Sequence, residues 1–213
     1  MNVTEIVEEY VILSPSIKDC LKEQVINYSD LSRKIIKETE LTQKNFDAIL
    51  VALRRYARKI NGLPSFEKRI QKVLSKSKLT ITNRVGVIVL EKHIYSDDLL
   101  ALEKKIKKAR DVFYAIEGTG VITIITAEYY LEEIHKTFRA NVIKEWVGLA
   151  LIVISSSEDI EEIPGIYAHL ATLLSQKGIN VYETMSCWSE TLFVVAENDV
   201  SRSISTFGFS KVV

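Results

Sequence analysis

The sequence predicts an α+β protein: an N-terminal helical domain of helix-turn-helix (winged) type, followed by two ferredoxin-like βαββαβ units. Three observations carry that prediction. Apolar residues recur at helical spacing up to about residue 77 and in strand-like runs beyond it. The order strand, helix, two strands, helix then occurs twice, with a period of roughly 65 residues. The charge divides at the same point: residues 1 to 77 hold 14 Lys and Arg against 10 Asp and Glu, a balance of +4, and residues 78 to 213 hold 14 against 18, a balance of −4. The domains implied are 1-77, 78-146 and 147-213.

In the first domain Thr4 is placed to cap a helix through Leu13, ended by Ser14-Pro15. Ser16 with Asp19 has the spacing of a capping box ahead of Ile17, Leu21 and Val25. A helix from Ser29-Asp30 to about Glu40 carries Leu31 and Ile35 on one face. The next, from Thr42, places Phe46, Ile49, Leu50, Leu53, Ala57 and Ile60 on one stripe and stops at Asn61-Gly62. Another follows Pro64-Ser65 with Phe66, Ile70, Val73 and Leu74 inward. Residues 31 to 76 concentrate 12 basic against 4 acidic side chains, a pattern that suits a polyanion-binding module joined to an acidic partner domain, or else a solvated helical face. On the polar face of the helix from Thr42, Gln43, Lys44 and Asn45 stand where a recognition helix meets base edges, and Arg54, Arg55 and Arg58 where it meets phosphates. A helical unit that docks on a protein partner is the alternative.

After Ser77, Lys78 to Thr82 alternates and Val85 to Leu90 is a β-branched run; the two form one long strand or a hairpin at Asn83-Arg84, which would serve as a wing. A helix from Ser96 brings Leu99, Leu102 and Ile106 inward. Strands follow at Val112 to Ile116 and Val121 to Thr126, with a turn at Gly118-Thr119-Gly120. A helix spans Glu128 to Phe138, and Val142 to Ser155 reads as one long strand or two merged ones. The second copy answers it with Leu149 to Ile154, a helix from Gly165 to Lys177, strands at Ile179 to Thr184 and Thr191 to Ala196, and a helix from Asp199 to Phe207.

Within that second copy, Asp159-Ile160-Glu161-Glu162-Ile163-Pro164-Gly165-Ile166, then Leu170, Leu173 and Leu174, then Lys177-Gly178-Ile179-Asn180-Val181, closely resembles the ACT domain of aspartate kinases and related regulatory proteins. The resemblance covers about residues 147 to 209, and residues 84 to 146 look like a degenerate second copy. The whole chain looks like small archaeal proteins that join a winged-helix-like domain to paired ACT domains. The resemblance implies an amino-acid effector held at Ile163, Gly165, Ile166, Asn180 and Val181, and a homodimer or higher oligomer assembled through ACT units. A Pro-Gly turn at a helix start fits such a ligand physically, because bare backbone groups and the helix N-terminus favour a carboxylate. The first copy lacks the Pro-Gly turn at residues 91 to 96, and Val112 stands where Asn180 does. Paired units that only dimerise are the alternative.

The expected function is therefore an amino-acid-sensing regulator, with DNA as partner of the helical domain; an allosteric subunit of a metabolic enzyme and a structural dimerisation module are the alternatives. No acid, base or nucleophile pairing suggests an enzyme, and no cofactor or metal is expected. His93, His135 and His169 are isolated, and Cys20 and Cys187 are far apart. The first residues, MNVTEIVEEYVIL, carry acids where a secretory signal has a basic region, and no apolar run reaches the roughly 18 residues needed to cross a bilayer. A cytoplasmic location is the expectation.

Overall fold

The computed structural model describes residues 2–61, 66–92 and 97–207. The expected breaks at Gly62 and Pro64-Ser65, the helix start at Ser96 and the side chain of His93 lie outside the described residues. Two compact units result, Met1–Ser65 and Phe66–Val213.

In the first, α1 (Val3–Ile12), α2 (Pro15–Lys22), α3 (Tyr28–Glu38) and α4 (Phe46–Asn61) enclose Val7, Val11, Leu21, Ile35, Ile49 and Leu53. The cap of α1 is Asn2, not Thr4: its Oδ1 accepts from the Glu5 N–H at 3.0 Å while the Glu5 carboxylate accepts from the Asn2 N–H at 2.9 Å. The Ser16–Asp19 box does not form, because Pro15 already opens α2 and puts both residues inside it. Asn27 caps α3 by accepting from Ser29 and Asp30. The Tyr10 hydroxyl donates to Glu38 at 2.6 Å and ties α1 to the end of α3. Burial, then the carboxylate, push that phenol up to about 12.

The second unit contains one antiparallel sheet of six strands in the order β2-β3-β1-β4-β6-β5. Its strands are β1 (Lys78–Glu91), β2 (Phe113–Glu117), β3 (Val121–Ala127), β4 (Val142–Ser155), β5 (Glu183–Cys187) and β6 (Glu190–Ala196). Its helices are α5 (Glu67–Leu74), α6 (Asp97–Lys108), α7 (Leu131–Phe138), α8 (Ile166–Gln176) and α9 (Val200–Phe207). The periodicity change near residue 77 assigns α5 to the helical domain. Packing assigns it here instead, since Ile70, Val73 and Leu74 are buried with Leu79, Ile152, Ile160 and Leu170.

The two long strands interlock the repeats. β1 and β4 are each 14 residues and pair with one another along both halves. β3 joins only Val85–Glu91, and β6 joins only Leu149–Ser155. The first βαββαβ unit therefore runs from the second half of β1 to the first half of β4. The second starts in the other half of β4 and takes Lys78–Thr82 of β1 as its fourth strand. A division at residues 146 and 147 falls inside β4. The alternatives at Asn83-Arg84 resolve as one strand: Arg84 takes φ 55, the ladder shifts register there, and β1 continues on the same partner. No wing hairpin follows the helical unit at this point.

Helices cover one face of the sheet over two cores, one around Ile88, Leu90, Ile106, Ile124 and Ile134, the other around Ile152, Ile154, Leu170, Leu174 and Val195. The opposite face is buried too, with Val85, Val87, Ile125, Leu149, Leu151 and Val194 in one cluster. This follows from curling of the sheet, which brings its outer strands towards each other. Trp146 meets Tyr182 edge-on at 6.0 Å. Thr123 of β3 hydrogen-bonds Glu183 of β5, and Tyr114 of β2 feels the charges of Glu190 and Cys187. Burial raises both the Glu183 carboxyl and the Tyr114 phenol above their ordinary values.

Candidate functional site

The turn from β4 into α8 is built by its apolar residues. A 3-10 turn, Glu158–Glu162, buries Ile160, after which Ile163 and Ile166 sink into the core at 4% and 1% exposure. These two anchor the turn and do not present their side chains outward. Pro164 and Gly165 between them are exposed. Gly165 has φ +87, and a Cβ built there would meet nothing within 4 Å, so the space before it is open. No side chain caps α8. The first-turn N–H groups of a helix point outward without intrahelical partners and carry partial positive charge, which suits a carboxylate. Beside this turn the Ser186 hydroxyl donates to the Tyr167 hydroxyl oxygen at 3.2 Å, linking β5 to the first turn of α8. Trp188 is 59% exposed in the adjoining β5–β6 turn. Tyr167 and Ser186 are not marked as neighbours in the sequence, because their proximity depends on the strand pairing and not on spacing.

Asn180 and Val181 lie elsewhere. α8 runs back along the sheet from Gly165, so its 11 residues separate the two ends by about 16 Å. Asn180 stands exposed at the far end, before β5, which starts at Glu183 rather than at Ile179. Val181 is half-buried and packs against the core beneath α8. Within one chain, then, Ile163, Gly165 and Ile166 come together and Asn180 and Val181 do not join them. The corresponding position in the first repeat, Val112, packs on the opposite face of the sheet, with its carbonyl accepting from the Thr126 hydroxyl at 2.8 Å.

In the helical unit, Gln43, Lys44 and Asn45 form a 3-10 turn ahead of α4. Asn45 is committed locally, its Oδ1 accepting from the Thr42 N–H at 2.9 Å. Arg54 and Arg58, one helical turn apart, line a cleft of about 170 Å³ with Gln24, Tyr28 and Asn61. Arg55 is exposed, about 100° around the helix from Arg54. The basic residues thus divide between the two ends of α4. Four of the five cations near the end of α6 are disposed differently: Lys105 pairs with Glu133 at 2.6 Å and Lys107 with Glu103 at 2.5 Å, while Lys104 and Lys108 are exposed. His135 is within 3.1 Å of Glu145, and His169 is half-buried on α8. Among the described residues no group of three His, Cys, Asp or Glu side chains is placed to hold a metal ion, and no helix is long and apolar enough to cross a membrane.

No family model matches the chain, and no curated protein does. Solved structures do. The aspartate kinase of Clostridium acetobutylicum, an allosteric enzyme, is 14% identical with a TM-score of 0.50 over 61% of this chain and 33% of its own. The regulatory subunit of aspartate kinase from Thermus thermophilus is 8% identical with a TM-score of 0.49, over 63% of this chain and 96% of its own. Aspartokinase III of E. coli, solved with lysine and aspartate, is 10% identical with a TM-score of 0.45, over 61% of this chain and 31% of its own. The chain thus spans about a third of the length of the Clostridium enzyme. At these identities the likeness concerns the fold alone, the antiparallel sheet with its covering helices.

Proposed function

We propose that the chain is a non-catalytic regulator that senses a small amino acid. The observation that carries this reading is the uncapped start of α8 at Gly165, with open space before a left-handed turn. A ligand carboxylate is received by the first-turn N–H groups of α8, and its ammonium group is balanced by the exposed acids Glu158, Asp159, Glu161 and Glu162 of the preceding turn. Asn180 is drawn in only from a second copy of the chain, which makes the complete site a property of a homodimer. The fold shared with an allosteric aspartate kinase supports the sensing role.

The helical unit carries the response. In the first reading its partner is DNA, held through Arg54, Arg55, Arg58 and Lys44, with Gln43 towards the bases. If effector binding favours one state by about 1 to 3 kcal/mol, DNA affinity changes by about 5- to 150-fold, and DNA changes effector affinity by the same factor. The commitment of Asn45 to a local cap and the division of the cations favour a second reading, docking on a metabolic enzyme. Titration of DNA at several salt concentrations separates them. The first reading expects a steep salt slope that becomes shallower by about one in Arg54→Ala and again in Arg58→Ala, since each removes a cation from a phosphate. An unchanged slope, with a protein partner retained from nuclease-treated extract, selects the second.

A further inference from the structure

A cleft of about 300 Å³ opens where α5 packs against the loop that follows β4. Its floor is apolar, made by the buried Val73 and Ile163. One wall carries three cations: Arg69 and Lys72 on α5, and Lys76 just beyond its end. Their spacing, three and then four residues, puts them on one side of the helix, where like charges repel. None of the three forms an ion pair with a carboxylate among the described residues. The facing wall is Ser157 and Asp159, followed along the same turn by the exposed Glu158, Glu161 and Glu162.

We propose that this cleft binds a small organic dianion, a phosphate monoester or a dicarboxylate. Three cations against one lining carboxylate leave a net charge of about +2, which two negative charges on a ligand neutralise. The volume is at the lower end of small-molecule sites, and the apolar floor accepts a short hydrocarbon body. The acidic facing wall repels a continuous polyanion such as nucleic acid but leaves room for a compact ligand held against α5. The site goes beyond the amino-acid reading: it shares Asp159 and Ile163 with that turn, but its three cations belong to α5 and the residue just beyond it, and neither Gly165 nor α8 lines it.

The test is equilibrium titration of the full chain with glycerol 2-phosphate and, separately, with succinate, at constant ionic strength. Saturable binding of either probe is expected, and the stronger of the two identifies the anion class. The double variant Lys72→Gln/Lys76→Gln weakens it by about tenfold or more, because charge-assisted hydrogen bonds to the anion go with the two ammonium groups, while Lys72→Arg retains it. All three positions are on the surface, so the variants fold. Gly165→Val leaves probe binding intact while removing amino-acid binding, which separates this site from the effector site. Binding of neither probe, equal binding by wild type and the double variant, or displacement of the probe by a short DNA duplex in preference to either anion overturns the proposal.

Discussion

The Glu197 carboxylate accepts a hydrogen bond from the backbone N–H of Arg84 at 2.5 Å. The second repeat is mirrored in the first: the carboxylate of Glu128 accepts from the N–H of Gly148. Arg84 and Gly148 are the mid-strand residues of β1 and β4 with positive φ, 55 and 70. Each glutamate follows the third strand of its own unit and holds the mid-strand break at which a long strand passes from one unit to the other. This reciprocal pair fixes where one repeat hands β1 and β4 to its neighbour.

Removing one acceptor strands an N–H at the irregularity. Glu197→Ala is expected to destabilise the protein by about 1 kcal/mol and Glu197→Gln by less, because an amide oxygen still accepts. Urea unfolding of the two variants measures the difference. Equal stability of all three proteins would show that solvent replaces the carboxylate at no cost.

Gly86 in β1 lies beneath α7 so closely that an added Cβ would come within 2.3 Å of Leu131 Cδ1. Gly86→Ala is expected to cost about 1 to 3 kcal/mol through overpacking. Leu131→Ala on its own is destabilising as well, but in combination with Gly86→Ala it removes the clash. The double variant should therefore be less destabilised than the sum of the two single variants, a coupling that denaturant unfolding of the full cycle reads.

Arg110 after α6 and Gly178 after α8 occupy equivalent positions with φ 61 and 66. Each closes its helix by backbone bonds, Asp111 N–H to Ile106 and Ile179 N–H to Leu174. Only Gly178 has the residue that this conformation prefers. Arg110→Gly is expected to raise stability by up to about 1 kcal/mol and Gly178→Ala to lower it by about the same amount, both seen in the melting temperature.

Glu183 reports on the closed face of the sheet. Burial raises its carboxyl above the ordinary range against the opposing hydrogen bond from Thr123. The unfolded chain then releases this proton at lower pH than the folded one, so its contribution is fully present below the ordinary glutamate value and declines as pH rises through the folded value. Glu183→Gln removes that decline. The stability difference between variant and wild type is expected to shift in favour of the variant as pH rises above the ordinary glutamate value, and a difference independent of pH would place Glu183 in solvent.

Much of the fold is legible in the sequence because the apolar pattern dictates it. The stripe from Phe46 to Ile60 specifies α4, and the β-branched runs 85 to 90 and 149 to 154 specify the paired central strands. Helix starts are less legible: Asn2 and Pro15 outcompete Thr4 and Ser16 because caps and proline act over only two or three residues. The sharing of β1 and β4 depends on long-range pairing that no local period encodes. The same holds for the candidate site. Pro164-Gly165 marks the open turn, but the distance from Gly165 to Asn180 is set by the direction of α8, and the cation wall of α5 acquires its facing loop only in the folded sheet unit.

The sensing role proposed for the chain requires the Gly165 turn to receive an amino acid. Thermal unfolding of the full chain against each of the twenty amino acids at millimolar concentration tests it most directly. A ligand specific to the folded state and present at about 100 times its dissociation constant adds about 2.7 kcal/mol. A selective, saturable rise in melting temperature is expected for one amino acid or one chemical group of them, abolished in Gly165→Val. No rise with any amino acid, or the same rise in Gly165→Val, would contradict it.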